Sequence, residues 1–213
     1  MMAHKILMID DNHSFVDTLQ VTLKGLPLEF ENVFSYFDGE KLLISRGPRL
    51  VYNEALKILN LAQSLELQEK QKGEKMSNFT PLEIHLPVVQ PQGFSLILVE
   101  QDTEPGRKGI DFIQNTLKQM PQFAPHYFWL LTTRPSLVEE KARQIGIAVF
   151  EKPVKNQQIR LLIQAHIEKL QQQEDKICEL METHANLFVT KEAKKNTGSR
   201  KEKSLSKKGK FKK

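Results

Sequence analysis

Short apolar runs alternate with helically spaced apolar residues along most of the chain. Lys5-Ile6-Leu7-Met8-Ile9 is a β-rich run that stops at Asp10-Asp11, the pattern of a strand buried on both faces and ending at a polar edge. Over residues 13–24, Phe15, Val16, Leu19 and Leu23 recur at helical spacing, and Gly25 and Pro27 supply the stop. Residues 28–36 suit a second strand, and Asp38-Gly39 reads as a turn entering a helix. Residues 50–72 predict a long helix, and 73–93, rich in proline and polar residues, a loop or inserted element. Phe94-Ser95-Leu96-Ile97-Leu98-Val99 is the strongest buried-strand candidate, and it runs into Glu100-Gln101-Asp102 and a Pro105-Gly106 turn. A helix over 110–117, a strand over 127–132, a helix over about 136–145, a short strand over 147–150 and a helix from about 156 complete the series. This order predicts an α/β fold, a doubly wound five-stranded parallel sheet between helices.

The last helix is long: Ile159, Ile163, Ile167, Leu170, Ile177 and Leu180 lie three, four or seven apart through a Gln-rich middle. Its stripe packs on the sheet as far as Leu170. Beyond that, Ile177, Leu180 and Leu187 need a cover, and a homodimeric coiled coil through this helix is one. The expected organisation is a single domain over 1–170 with an inserted helical and loop segment at about 45–93. A C-terminal helix extension at 171–190 and a disordered basic tail at 191–213 follow. Such an insertion costs little stability, because closure entropy grows slowly with loop length.

Charge divides the same way. The net +5 of the chain separates into about +9 over 191–213 and −4 over the rest. A mildly acidic body with a basic tail places any weak nucleic-acid contact in the tail, not on the domain. The single cysteine, Cys178, excludes an internal disulfide and a cysteine-based zinc cluster, which fits a reducing, cytoplasmic setting. The first apolar run is too short for a signal peptide core or a membrane span, so no membrane association is expected. No histidine has partners at metal-ligand spacing, so His4, His13, His85, His126, His166 and His184 are expected at the surface. Gly106-Arg107-Lys108-Gly109 lacks the P-loop pattern, and no nucleophile-base pair is evident, which argues against an enzyme.

In an open parallel sheet, ligands bind outside the carboxyl ends of the strands. The polar residues there are Asp10-Asp11, Glu100-Gln101-Asp102, Thr132-Thr133 and Glu151-Lys152 before Pro153. Carboxylates can hold Mg²⁺ through hard oxygen ligands, a hydroxyl can bond a phosphoryl oxygen, and an ammonium can neutralise one. Asp10 or Asp11 alone reads more simply as a helix cap; the joint occurrence at successive strand ends is what points to phosphoryl chemistry. With Asp10-Asp11, Thr132 and Lys152-Pro153 at these places, residues 3–170 resemble the receiver domains of bacterial response regulators, a flavodoxin-like fold. The resemblance implies an acidic pair, Asp10 and Asp11, that binds Mg²⁺, with Thr132 and Lys152 receiving the phosphoryl group. It also implies a histidine kinase or phosphotransfer protein as donor and a downstream protein partner.

The chain departs from that family at the acceptor. Counting along the apolar run puts Glu100 in the acceptor position, where it also counts as a metal ligand, and counting back from Pro105-Gly106 puts Gln101 there. Asp102 is the nearby aspartate and the alternative acceptor if the strand runs two residues further, since it then shares a face with Glu100. A glutamate carries its carboxylate one methylene further out, which matters for an in-line transfer. Glu100 is then either a permanent imitation of a phosphorylated aspartate or a metal ligand in a site without the reaction. The family's aromatic switch position, three before Lys152, holds Val149. The expected function is a stand-alone receiver protein of a phosphorelay that acts by protein-protein interaction, either phosphorylated at the acceptor or as a phosphorylation-independent pseudo-receiver. The alternative is a nucleic-acid-associated protein that binds through its tail and uses the receiver fold as a scaffold.

Overall fold

The computed structural model describes residues 3–71, 82–84, 88–183 and 188–190. Its elements are β1 (His4–Ile9), α1 (His13–Leu23), β2 (Leu28–Val33), α2 (Tyr36–Arg46), α3 (Tyr52–Gln71), β3 (Leu82–Ile84), β4 (Phe94–Glu100) and α4 (Gly109–Gln119). β5 (Phe128–Thr132), α5 (Glu139–Ile145), β6 (Ala148–Glu151), α6 (Asn156–Thr183) and β7 (Phe188–Thr190) follow. Five strands form one parallel sheet in the order β2-β1-β4-β5-β6, and β3 pairs with β7 in a separate two-stranded parallel ribbon. The expected doubly wound α/β architecture is what forms.

Both faces of the sheet are covered, as the continuous apolar runs require. Because side chains alternate along a strand, Ile6, Met8, Leu96, Leu98, Trp129 and Leu131 meet Val16, Leu19 and Leu23 of α1 and Ile159, Ile163 and Ile167 of α6. Leu7, Ile9, Ile97, Val99, Phe128 and Leu130 face the other way, toward Tyr36 and Leu43 of α2, Ile110 and Ile113 of α4, and Ala142 of α5.

Three local readings change. Asp38 and Gly39 lie inside α2, which starts at Tyr36 because Ser35 Oγ accepts from the Asp38 N–H. Gly39 is there for space: a Cβ would stand 2.4 Å from Ile9 Cδ1. The helix expected over 136–145 is a 3₁₀ turn at Pro135–Leu137 followed by α5. His4 is buried rather than exposed: its ring nitrogens meet Ser95 Oγ and Gln171 Oε1, each at 2.9 Å, joining β1, β4 and α6. His166 is also partly buried against the Ser95 carbonyl, at 3.0 Å. His85, His184, Leu187 and the tail at 191–213 lie outside the described residues.

The insertion supplies what the end of the last helix lacked. Arg49 forks onto Glu174 of α6, Nε to Oε1 at 2.8 Å and Nη2 to Oε2 at 3.1 Å, with both side chains buried. The Tyr127 hydroxyl donates to the Leu50 carbonyl at 2.8 Å and accepts from its N–H at 3.2 Å. Ile177 is fully buried in the same core as Leu50, Ala55 and Ile58, with Leu180 packed against it. The stripe beyond Leu170 that suggested a second copy is therefore covered at Ile177 by the chain's own insertion.

Candidate functional site

Strand register gathers the polar strand ends at one corner of the sheet. Ile9 pairs with Val99, Glu100 with Leu131, and Thr132 with Glu151. The residues that follow or end these strands, Asp10, Glu100, Thr132 and Lys152, are thus set at similar height. Lys152 is the hub. Its Nζ donates to Asp10 Oδ2 at 2.6 Å and forms an ion pair with Glu100 Oε2. It also lies 4.3 Å from the centroid of the Phe15 ring, a favourable place for a cation. Its backbone N–H donates to the Thr132 carbonyl at 2.8 Å, and the peptide to Pro153 is cis.

Burial sets the electrostatics. Asp10 is fully buried, Glu100 is 8% exposed and Thr132 is 1% exposed. Desolvation pushes the Glu100 carboxyl above its ordinary range, the Lys152 ammonium pulls the other way, and the Asp10 carboxylate adds to the rise. The other Asp10 oxygen, Oδ1, accepts from the Asn12 N–H at 2.9 Å, and Asn12 itself caps α1 by accepting from the Phe15 N–H. The Thr132 hydroxyl accepts from the Arg134 N–H at 3.1 Å.

The remaining candidates lie elsewhere. Strand β4 stops at Glu100, so the two-residue extension that puts Asp102 on the same face does not form. Asp102 is exposed between Lys108 and Arg134, and the Lys108 ammonium is the main reason its carboxyl sits below the usual carboxylate range. Gln101 is buried and its Oε1 accepts from the Ile110 N–H at 3.0 Å, so it tethers the start of α4. Asp11 is exposed.

Two supporting residues were not singled out in the sequence. Tyr36 is buried with its hydroxyl on the Glu100 carbonyl at 2.7 Å. Gly109 lets α4 begin against the end of β4, since a Cβ there would stand 2.4 Å from the Glu100 carbonyl oxygen. Tyr36 carries no sequence signal beyond aromaticity, because its role depends on a partner 64 residues away. Gly109 stood in view beside Pro105-Gly106 but without a reason.

As arranged, these residues do not fit a magnesium ion. Among the described residues no three His, Cys, Asp or Glu side chains form a metal-binding group. Both oxygens of Asp10 are engaged, and an ammonium already occupies the place between Asp10 and Glu100. A hard divalent cation needs several converging oxygens.

No family model matches the sequence, and no curated protein matches it. Among solved structures, the chain is similar to the signal receiver domain of a protein described as a Luxo repressor, from Vibrio parahaemolyticus. The identity is 12%, the match covers 81% of this chain and 95% of that one, and the TM-score is 0.52. The chain has the receiver fold. Receiver domains from Clostridium thermocellum and Methanospirillum hungatei also match. The first is 14% identical, covering 79% and 97% of the two chains with a TM-score of 0.49; the second is 19% identical, covering 82% and 98% with a TM-score of 0.47. No helix among the described residues is long and apolar enough to cross a membrane.

Proposed function

We propose that the chain is a receiver-type signalling module that acts by binding other proteins and does not depend on aspartyl phosphorylation. The observation that carries the reading is the ion-paired corner itself. The residue ending β4 is a glutamate, and Lys152 already joins it to Asp10. A phosphoryl group entering there has to displace this pair from a buried place and find an in-line path to a carboxylate one methylene too far out. Asp102, the nearby aspartate, is held outside by Lys108 and Arg134. In this reading Glu100 supplies permanently the negative charge that a phosphorylated aspartate supplies transiently. The partners are proteins of a two-component pathway: a histidine kinase or phosphotransfer protein that docks on the fold, and a downstream target.

Labelling with acetyl phosphate in the presence of Mg²⁺, followed by intact mass, tests this on the wild type, Glu100→Gln and Asp102→Asn. The expected result is no phosphate gain in any of the three. A gain in the wild type that disappears in Asp102→Asn would show a live receiver with a displaced acceptor and overturn the proposal.

A further inference from the structure

Tyr36, the first residue of α2, is fully buried, and its N–H, hydroxyl and ring engage the end of β4, the segment after it and α4. Its backbone N–H donates to the Glu104 carboxylate. Its hydroxyl donates to the Glu100 carbonyl at 2.7 Å, has the Gln101 carbonyl at 3.1 Å, and accepts from the Thr103 N–H at 3.3 Å. Its ring stacks on Phe112 of α4 at 5.2 Å and 18°, and the Arg107 guanidinium lies 5.5 Å from the ring centroid. Burial pushes the phenol up to about 12, so it stays a donor across ordinary pH.

The arrangement has a direction. The residue whose carbonyl Tyr36 holds is the residue whose carboxylate pairs with Lys152. Tyr36 is also covalently the start of α2, so a shift of the β4 end is transmitted to the first turn of that helix. The same helix is held against the strand that precedes Asp10 by the close approach of Gly39 to Ile9. Its outer side carries Phe37, Lys41 and Ile44, at spacings of four and three on one helical face, with Phe37 and Ile44 well exposed and Lys41 over the Phe37 ring.

We propose that Tyr36 is a positioning residue that couples the state of the Glu100 and Lys152 pair to helix α2. The proposal rests on the reading of that pair as the functional corner of the module. The family's aromatic position is Val149 on β6 here, and Tyr36, a buried aromatic at the end of β4, does the linking instead. A purely structural tyrosine is available for comparison. Tyr127 is equally buried and bonds both backbone groups of Leu50, at the other end of β5 from Thr132.

The test is a coupling cycle. Backbone amide shifts of residues 37–44 are recorded with and without Glu100→Gln, in the wild type, in Tyr36→Phe and in Tyr127→Phe. Glu100→Gln is expected to shift these amides in the wild type and in Tyr127→Phe, and the response should fall to less than half in Tyr36→Phe. An undiminished response in Tyr36→Phe, or none in the wild type, overturns the coupling. If Tyr36→Phe does not fold, Glu104→Gln, which weakens the second tether, must reduce the response instead. The underlying reading is checked separately by the carboxyl titration of Glu100 in wild type and Lys152→Met. Identical titrations would sink the paired-corner reading itself, whereas distinct titrations with an undiminished α2 response would sink the coupling alone.

Discussion

Lys152 places one positive charge between two buried carboxylates, so the corner holds one excess negative charge when Asp10, Glu100 and Lys152 are all ionised. Burial is the main reason the Glu100 carboxyl is raised; Lys152 pulls it down, and Asp10 adds to the rise. A carboxyl whose folded value is raised binds its proton more readily in the folded state. It therefore favours folding at low pH and opposes it once ionised. Glu100→Gln removes that penalty and leaves Lys152 paired with Asp10. The variant should be more stable than wild type at neutral pH, and the advantage should vanish as the pH falls below the ordinary carboxyl value of 4.5. Urea midpoints measured between pH 7 and pH 4 read this directly, and a neutral-pH loss of stability in the variant would contradict it. At this scale Asp10, Glu100 and Lys152 could be picked out from the ends of apolar runs. The proton balance of Glu100 could not, since it depends on how much water the packed sheet leaves.

Among the elements, α3 and the second half of α6 depend on each other. Arg49 and Glu174 form a buried, bidentate pair, and removing one partner leaves the other charge buried without compensation. Losses of about 3–5 kcal/mol are usual for such a cut. Glu174→Ala should therefore speed hydrogen exchange in α3 and in the distal part of α6, while β1 and β4 keep their protection; equal loosening of the whole sheet would argue against a locally held insertion. Ile177 offers a second check on the same packing. It is fully buried against the chain's own core, so Ile177→Ala should cost about 2–5 kcal/mol. The midpoint of wild-type unfolding should also stay constant as protein concentration changes, whereas a seam between two copies would raise it with concentration. The spacing of Ile177 and Leu180 was plain in the sequence and correctly demanded a cover. Which surface provides it was not legible, because apolar spacing states only that a face must be buried.

For the whole molecule, the balance of charge at the corner predicts its response to metal. A ligand that binds only the folded state raises the unfolding midpoint in proportion to its affinity. With Lys152 standing between Asp10 and Glu100 and with Asp11 exposed, millimolar Mg²⁺ should leave the thermal midpoint of wild type unchanged. Lys152→Ala, which vacates the cation's place, should gain stability from Mg²⁺ relative to its own metal-free state. A clear rise in the wild type would mean that the ammonium yields to the metal and that the corner works as a metal site.

The sequence by itself determined the alternation of strands and helices, and with it the parallel, two-sided sheet. Short continuous apolar runs that close at polar residues suit strands buried on both faces, and parallel connections need the helices between them. It also determined which polar residues stand at the strand ends, because those ends are marked by the abrupt close of each run. Only the tertiary structure decided where β4 stops and so that Glu100, not Asp102, meets Lys152, since alternate residues share a face only as far as the strand continues. Only it decided that Tyr36 and Gly109 fit around the Glu100 carbonyl, and that Arg49 meets Glu174. Those contacts join residues as far as 125 positions apart, and separation along the chain carries no trace of them until the sheet has closed the distance.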